Sequence, residues 1–322
     1  MSDSGTRRGS ARTILDYSLV VLLLICALSV FVFACDKLKL SENAQKTADI
    51  RRGQIGTELT ALAGKHDWAG EYYEGDGLGE NVSLILSPKA GYVFEWHGCL
   101  GVYDRNYGSV TAVDGILRLS FTFENERKGF QGIASEFIPI SWGSRKYLIP
   151  SNEVVGFCNE VNARAEPRDD LHGRYLLRVG DEKKTVTGWP KLPRQYEAYL
   201  LERPVEAKIT KLSRPTTRPS AGNWNFRDTV VKLDAGRADR LLVGMELHVI
   251  YPEHVVESAR VIKVDDHAAE AVMTQIGEDE PGPRIGWRLS TLPSWRRQQV
   301  PRATQPAGEG PDLRVKSTKP GK

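Results

Sequence analysis

Between Leu19 and Ala34 the chain runs LVVLLLICALSVFVFA, sixteen residues without a charge. The run is apolar on every side and has no polar stripe, which sets it apart from a helix packed on a globular core. As a helix rising ~1.5 Å per residue it covers roughly 24 Å, short of the ~30 Å hydrocarbon core of a bilayer. Extension back through Ser18 and Tyr17 to Ile14 reaches the required length, with Asp16 at the headgroup level and Tyr17 as an interfacial anchor. The chain is therefore expected to engage a membrane through residues 14–35, a transmembrane or signal helix, behind a basic stretch over residues 1–13 that carries Arg7, Arg8 and Arg12.

Three fates fit such a segment: retention as a signal anchor, removal as a signal peptide, or cleavage before Cys35 with lipidation of that cysteine. Val32-Phe33-Ala34-Cys35 resembles the lipobox of bacterial lipoproteins, with an aliphatic residue three before the cysteine and a small one just before it. Phe33 stands where that motif is normally small. The resemblance implies an envelope protein of membrane-anchored or lipoprotein type, with Cys35 as the lipidation candidate. Flanking charge is divided, because Lys37, Lys39, Lys46, Arg51 and Arg52 follow the run and outnumber the arginines before it. A basic region leading into an apolar one is nevertheless the form of an export signal. The body is accordingly expected outside the cytoplasm, in the periplasm or cell envelope.

Cys99 and Cys158 are the two cysteines of that body. In an oxidising compartment they form a disulfide candidate, which on a chain-entropy argument would stabilise the fold by ~4 kcal/mol. Two buried thiols are the other reading.

The 322 residues suffice for two domains, and 40% apolar with 26% charged residues is a globular balance. The net charge of +3 sits at the ends: residues 1–12 carry +2 and residues 293–322 carry +5, which leaves −4 for the rest. A body without surplus positive charge has nothing from which to build a phosphate-neutralising face, so a nucleic-acid partner is set aside.

Residues 36–65 read as a helical stalk. Ser41 is a credible N-cap, Gly64 terminates the helix, and Ala44, Ala48, Ile55, Leu59 and Leu62 form a thin apolar stripe. From Trp68 the period changes from helical to alternating. Strands are expected at 68–73, Val82–Ser87, Gly91–Trp96, Tyr107–Val113, Ile116–Phe123, Phe137–Trp142, Arg145–Ile149, Arg174–Val179 and Thr185–Thr187, with turn residues between them. A short helix is expected over residues 152–163. The fold class is thus mainly β: an antiparallel meander or barrel over residues 66–203, then a small β-barrel over 204–292, then a disordered basic tail over 293–322.

Trp68-Ala69-Gly70-Glu71-Tyr72 resembles the opening strand of lipocalin-like domains, with Lys65-His66-Asp67 where that family places a Gly two before the Trp. The resemblance implies a barrel with an internal cavity. Residues 233–249 resemble a small-barrel module of bacterial envelope proteins, in which a strand ends in a Gly turn (Gly236), an Asp-x-Leu corner follows (Asp239, Leu241) and a Gly-Met pair (Gly244, Met245) starts the next strand. That module has no catalytic content.

Chemistry-bearing motifs are sparse. Gly75-Asp76-Gly77-Leu78-Gly79 lies between two strands and reads as a hairpin loop rather than a phosphate cradle, which needs a helix after the glycines. A cation site at Asp76, Glu80 and Asn81 is the minor reading. His97 and Cys99, two apart at a strand end, share a face instead of forming a cross-element nucleophile pair. The six histidines form no HxH or HExxH pair, so no metal, cofactor or catalytic residue is assigned. The leading expectation is a non-catalytic, membrane-tethered envelope protein that binds or scaffolds, with another envelope protein as its partner. The alternatives are a lipocalin-like carrier or sensor of small apolar ligands, and a hydrolase whose site is assembled from residues distant in sequence.

Overall fold

The computed structural model describes residues 43–75, 79–122, 133–165, 167, 175–219, 225–276 and 282–297. The apolar segment 14–35, Cys35 and most of the basic tail lie outside these residues. Among the described residues no helix is long and apolar enough to cross a membrane. The body is mainly β and divides into two compact units.

The first unit opens with a helix whose described part covers residues 43–62 (α1). Eight antiparallel strands follow: β1 (Gly70–Gly75), β2 (Glu80–Ser87), β3 (Gly91–Gly98), β4 (Gly101–Val113), β5 (Ile116–Phe121), β6 (Glu136–Trp142), β7 (Arg145–Pro150) and β8 (Leu176–Arg178). They close in sequence order, with β8 pairing back onto β1 at Tyr72↔Arg178 and Tyr73↔Leu177. Among the described residues, closure gives each of the eight strands a neighbour on both sides.

Alternation sorts the side chains. Tyr72, Val82, Leu84, Leu86, Tyr92, Phe94, Val110, Leu117, Leu119, Phe137, Leu148 and Leu176 form one contiguous cluster inside the barrel. The cavity implied by the opening-strand resemblance is thus occupied along this row by the protein's own aromatic and aliphatic groups. The Tyr92 hydroxyl donates to Asn106 Oδ1 at 2.7 Å, which pairs two buried polar groups with each other.

The other face of β3 is buried too, because α1 lies across it. Ala48, Ile55 and Val93 form a second cluster, joined by Leu59, Ile85, Ala90 and Tyr107. The helix expected as a lightly packed stalk is an integral layer of this unit. Close approach at its landing site depends on glycine: a Cβ on Gly91 (φ +83°) would sit 2.0 Å from the Gly108 carbonyl oxygen. That oxygen accepts from Arg51 Nη1 at 2.8 Å.

The second unit takes Ile140–Gly143, Ile149–Tyr175 and the chain from Thr185 onward. Its helix α2 (Val154–Asn162) matches the expected one. Two asparagines tie it in. Asn159 donates to the Gly244 carbonyl at 3.1 Å and accepts from Glu246 N at 3.2 Å. Asn162 does the same with Tyr199 O at 2.8 Å and Leu201 N at 2.9 Å. This pairing groups α2 and residues 185–203 with the second barrel, across the sequence boundary expected at 203–204.

The strand expected at Thr185–Thr187 comes out differently. Residues 185–187 form no strand: Gly188 (φ +69°) and Pro190 interrupt extension, and a single bridge, Ser141↔Lys191, remains. Residues Thr216–Pro219, in a stretch rich in Pro, Ser and Thr, form a further short strand. A one-turn helix, α3 (Arg194–Glu197), precedes the second sheet, which comprises β9 (Glu206–Leu212), β10 (Thr216–Pro219), β11 (Asn225–Leu233), β12 (Glu246–Tyr251), β13 (Ser258–Val264), β14 (Ala269–Ile276) and β15 (Arg288–Ser290). Strands β11-β14-β13-β12-β15-β9 close into a six-stranded ring through the β9–β11 pairing, with β10 appended to β11.

So narrow a ring needs small inward residues beside large ones. Ala207, Ala259, Ala269 and Ala271 alternate with Ile209, Leu247, Met273 and Leu289 in its core. Residues 233–249 work as a corner: Asp239 Oδ2 accepts from Gly236 N at 2.9 Å, Leu241 and Met245 are fully buried, and Gly244 adopts φ +90°. The expected tail begins with one ordered turn, α4 (Ser294–Arg297), whose Trp295 meets His248 edge-on at 5.7 Å.

Ile55 is the largest fully buried side chain among the described residues of α1. Ile55→Ala is expected to cost ~2–5 kcal/mol through lost transfer energy and a residual cavity. Urea unfolding of the full chain, followed by tryptophan fluorescence, should show a correspondingly lower midpoint; an unchanged midpoint would mean that α1 is not part of the cooperative unit.

Candidate functional site

The residues singled out from sequence do not assemble. Cys99 is exposed in the turn between β3 and β4, and Cys158 is buried in α2; both are thiols, and the expected disulfide is not formed. Cys158 belongs to the inward side of its helix with Val154, Phe157 and Val161, so it serves as an apolar group. Burial pushes its thiol up to about 12. His97 turns from Cys99 toward Glu95, with Nε2 3.3 Å from Oε2. Asn81 accepts from the Tyr73 hydroxyl across β1 and β2, while Asp76 lies outside the described residues. No group of three or more potential metal ligands occurs among the described residues.

Two other constellations emerge from the first barrel. On the outward face of β3, Glu95 is nearly fully buried between three partners. Arg52 of α1 donates to Oε2 at 2.7 Å, Arg105 of β4 donates to Oε1 at 2.8 Å, and His97 completes the set. Glu95 and Arg105 are directly opposed in register, which sets the second bond. Desolvation alone would raise this carboxyl. The two guanidinium hydrogen bonds and the charge of Arg52 outweigh it and hold the group at about 2, against an ordinary 4.5. So saturated a carboxylate is a poor base and a strong tie. Glu58, one helical turn past Ile55, acts likewise by accepting from Ser87 Oγ at 2.7 Å and Ala90 N at 2.8 Å.

The second constellation is a cleft of ≈ 220 Å³ where the chain passes from α1 into the barrel rim. Leu59 and Leu62 of α1, Gly64 and His66 of the connection, Ala69, Gly70 and Glu71 of the first strand region, and Arg178 and Val179 at the end of β8 line it. The helix stops here because Ala63 (φ 48°) and Gly64 (φ 71°) are left-handed. Register places Arg178 opposite Tyr72, on the inward side at the rim. Gly70 makes room for it, since a Cβ there would lie 2.8 Å from Arg178 Nε. The guanidinium makes one hydrogen bond, from Nη2 to Ala69 O at 2.7 Å. His66 Nδ1 accepts from Ala69 N at 3.2 Å and from Trp68 N at 3.4 Å, so the proton of the neutral ring is on Nε2. Sequence reasoning missed Arg178 and Glu95. Their roles follow from cross-strand register, and the only local signal was a charged residue on an otherwise apolar row, as in Leu176-Leu177-Arg178.

A carboxylate with a lowered folded-state pKa contributes stability above its unfolded value, and that contribution is lost as pH falls toward the folded one. For Glu95 the window runs from about 4.5 down to about 2, and the shift corresponds to ~3 kcal/mol. Urea midpoints across this range should fall steeply for the native chain. Glu95→Gln should be less stable at neutral pH, with a shallower acid dependence; parallel profiles would remove Glu95 as the titrating tie.

Compared with known proteins, the chain matches no family model, no curated protein and no solved structure.

Proposed function

We propose that this chain is a non-catalytic envelope protein, tethered to a membrane through residues 14–35, whose two-barrel body binds or scaffolds outside the cytoplasm. The observation that carries the reading is how the charged side chains are used. Glu95, Glu58, Arg51 and Arg52 are committed to fastening α1 onto the barrel, and the carboxyl with the largest downward shift is a structural tie. General acid–base chemistry instead favours groups tuned toward neutral pH and left able to exchange a proton. The lipocalin-like alternative draws support from the closed eight-stranded meander, while the aromatic filling of its inward row leaves less room for a ligand inside.

Two measurements test the reading. Alkaline carbonate washing should leave the full chain in the membrane fraction, and deletion of residues 14–35 should release it; release of the native chain would sink the tether. In spheroplasts a membrane-impermeant maleimide should label the native chain through the exposed Cys99 and lose that labelling in Cys99→Ser. Protection of Cys99 until the membrane is permeabilised would place the body on the cytoplasmic side. Native mass spectrometry of the extracted protein separates the carrier alternative, since a retained stoichiometric lipid would replace scaffolding with transport.

A further inference from the structure

The cleft between the end of α1 and the barrel rim joins three features that structural ties do not use up. Leu59, Leu62 and Val179 supply the apolar part of its lining. Arg178 lies half-buried at its wall with one backbone hydrogen bond, and among the described residues no carboxylate is within ion-pair range of it. His66 lines the same cleft, and with Nδ1 occupied by the backbone its Nε2 is the ring nitrogen left for a further partner.

A guanidinium carries five N–H donors in a planar fork suited to two oxygens of one anion. Left partly desolvated without a counter-charge, it favours an anionic ligand over water, and the leucines beside it favour one with a hydrocarbon portion. Glu71 also lines the cleft, but its side chain is exposed on the outward row of β1, where water screens its charge.

The geometry points to this cleft as a binding site for a small carboxylic acid with an apolar chain. The carboxylate sits on Arg178, with His66 as a second donor, and the chain lies against Leu59 and Leu62. This assignment rests on the reading of the protein as a binding module and gives that module a ligand class. The site differs from a lipocalin-type calyx in lying at the barrel rim, beside the end of the helix.

Saturation-transfer NMR with hexanoate, on the full chain in lipid nanodiscs and against empty nanodiscs, tests it. Hexanoate should give saturable transfer to its methyl end, acetate a much weaker signal, and hexylamine none. Arg178→Met should weaken hexanoate roughly tenfold or more, the usual effect of losing a charge-assisted bidentate contact. Leu62→Glu leaves Arg178 in place and should abolish binding by repulsion, so the assignment stays testable if Arg178→Met does not fold. Hexylamine binding as well as hexanoate would assign the cleft to Glu71 and overturn the proposal. So would hexanoate binding unchanged in both variants, or no binding at all. None of these failures touches the membrane tether, which carbonate extraction decides separately.

Discussion

The buried carboxylate of Glu95 joins a helix to two strands at once. Arg52 reaches it from α1 and Arg105 from β4, so a helix shifted along the barrel while still covering this face leaves the carboxylate with one of its two guanidinium partners. Removing one partner of a buried charged set costs more than the set contributes net, because the remaining charge is stranded. The apolar contact of Ile55 and Ala48 with Val93 supplies attraction without direction. The ionic contact fixes where along the barrel that attraction is satisfied. Arg51 and Glu58 repeat the arrangement on either side through backbone atoms at Ala90 and Gly108.

This explains an oddity of β3. A strand of a solvated barrel should alternate, yet Tyr92, Val93, Phe94 and Glu95 are all buried. The inward residues fill the barrel and the outward ones lie under the helix, so one strand belongs to two cores. The same layering makes the cleft: where the helix unwinds at Ala63 and Gly64, the cover ends and the rim residues come into view. The second barrel has a different economy of space, with alanines inward because six strands enclose less room than eight.

Much of the architecture was legible in the alternation of apolar residues. Leu117, Leu119 and Phe121 on one face of β5, or Val205, Ala207 and Ile209 leading into β9, are period-two patterns that survive any tertiary context. The Gly236, Asp239 and Gly244 corner was legible as well, since turns with left-handed or tightly packed residues have few substitutes. Thr185–Thr187 misled because β-branched threonines suit strands, while the residues that decide, Gly188 and Pro190, come after them. Nothing local could reveal the Glu95 set or the cleft. Each joins residues distant in sequence, brought together by the register Glu95↔Arg105 with Arg52 from α1 in one case and by Tyr72↔Arg178 in the other. The cysteines show the same limit, because their pairing was inferred from number and compartment, which say nothing about the interior helix face that Cys158 occupies.

The two asparagines of α2 have a consequence for the chain as a single object. Each uses its side-chain amide as a spare peptide unit, completing the hydrogen bonding of backbone that lies far ahead in sequence. The helix that does this is encoded between the last two strands of the first barrel. The polypeptide is therefore braided: the second unit borrows a piece from within the first, and the first closes only after that piece has been given away. No single cut along the linear order separates one unit from the other.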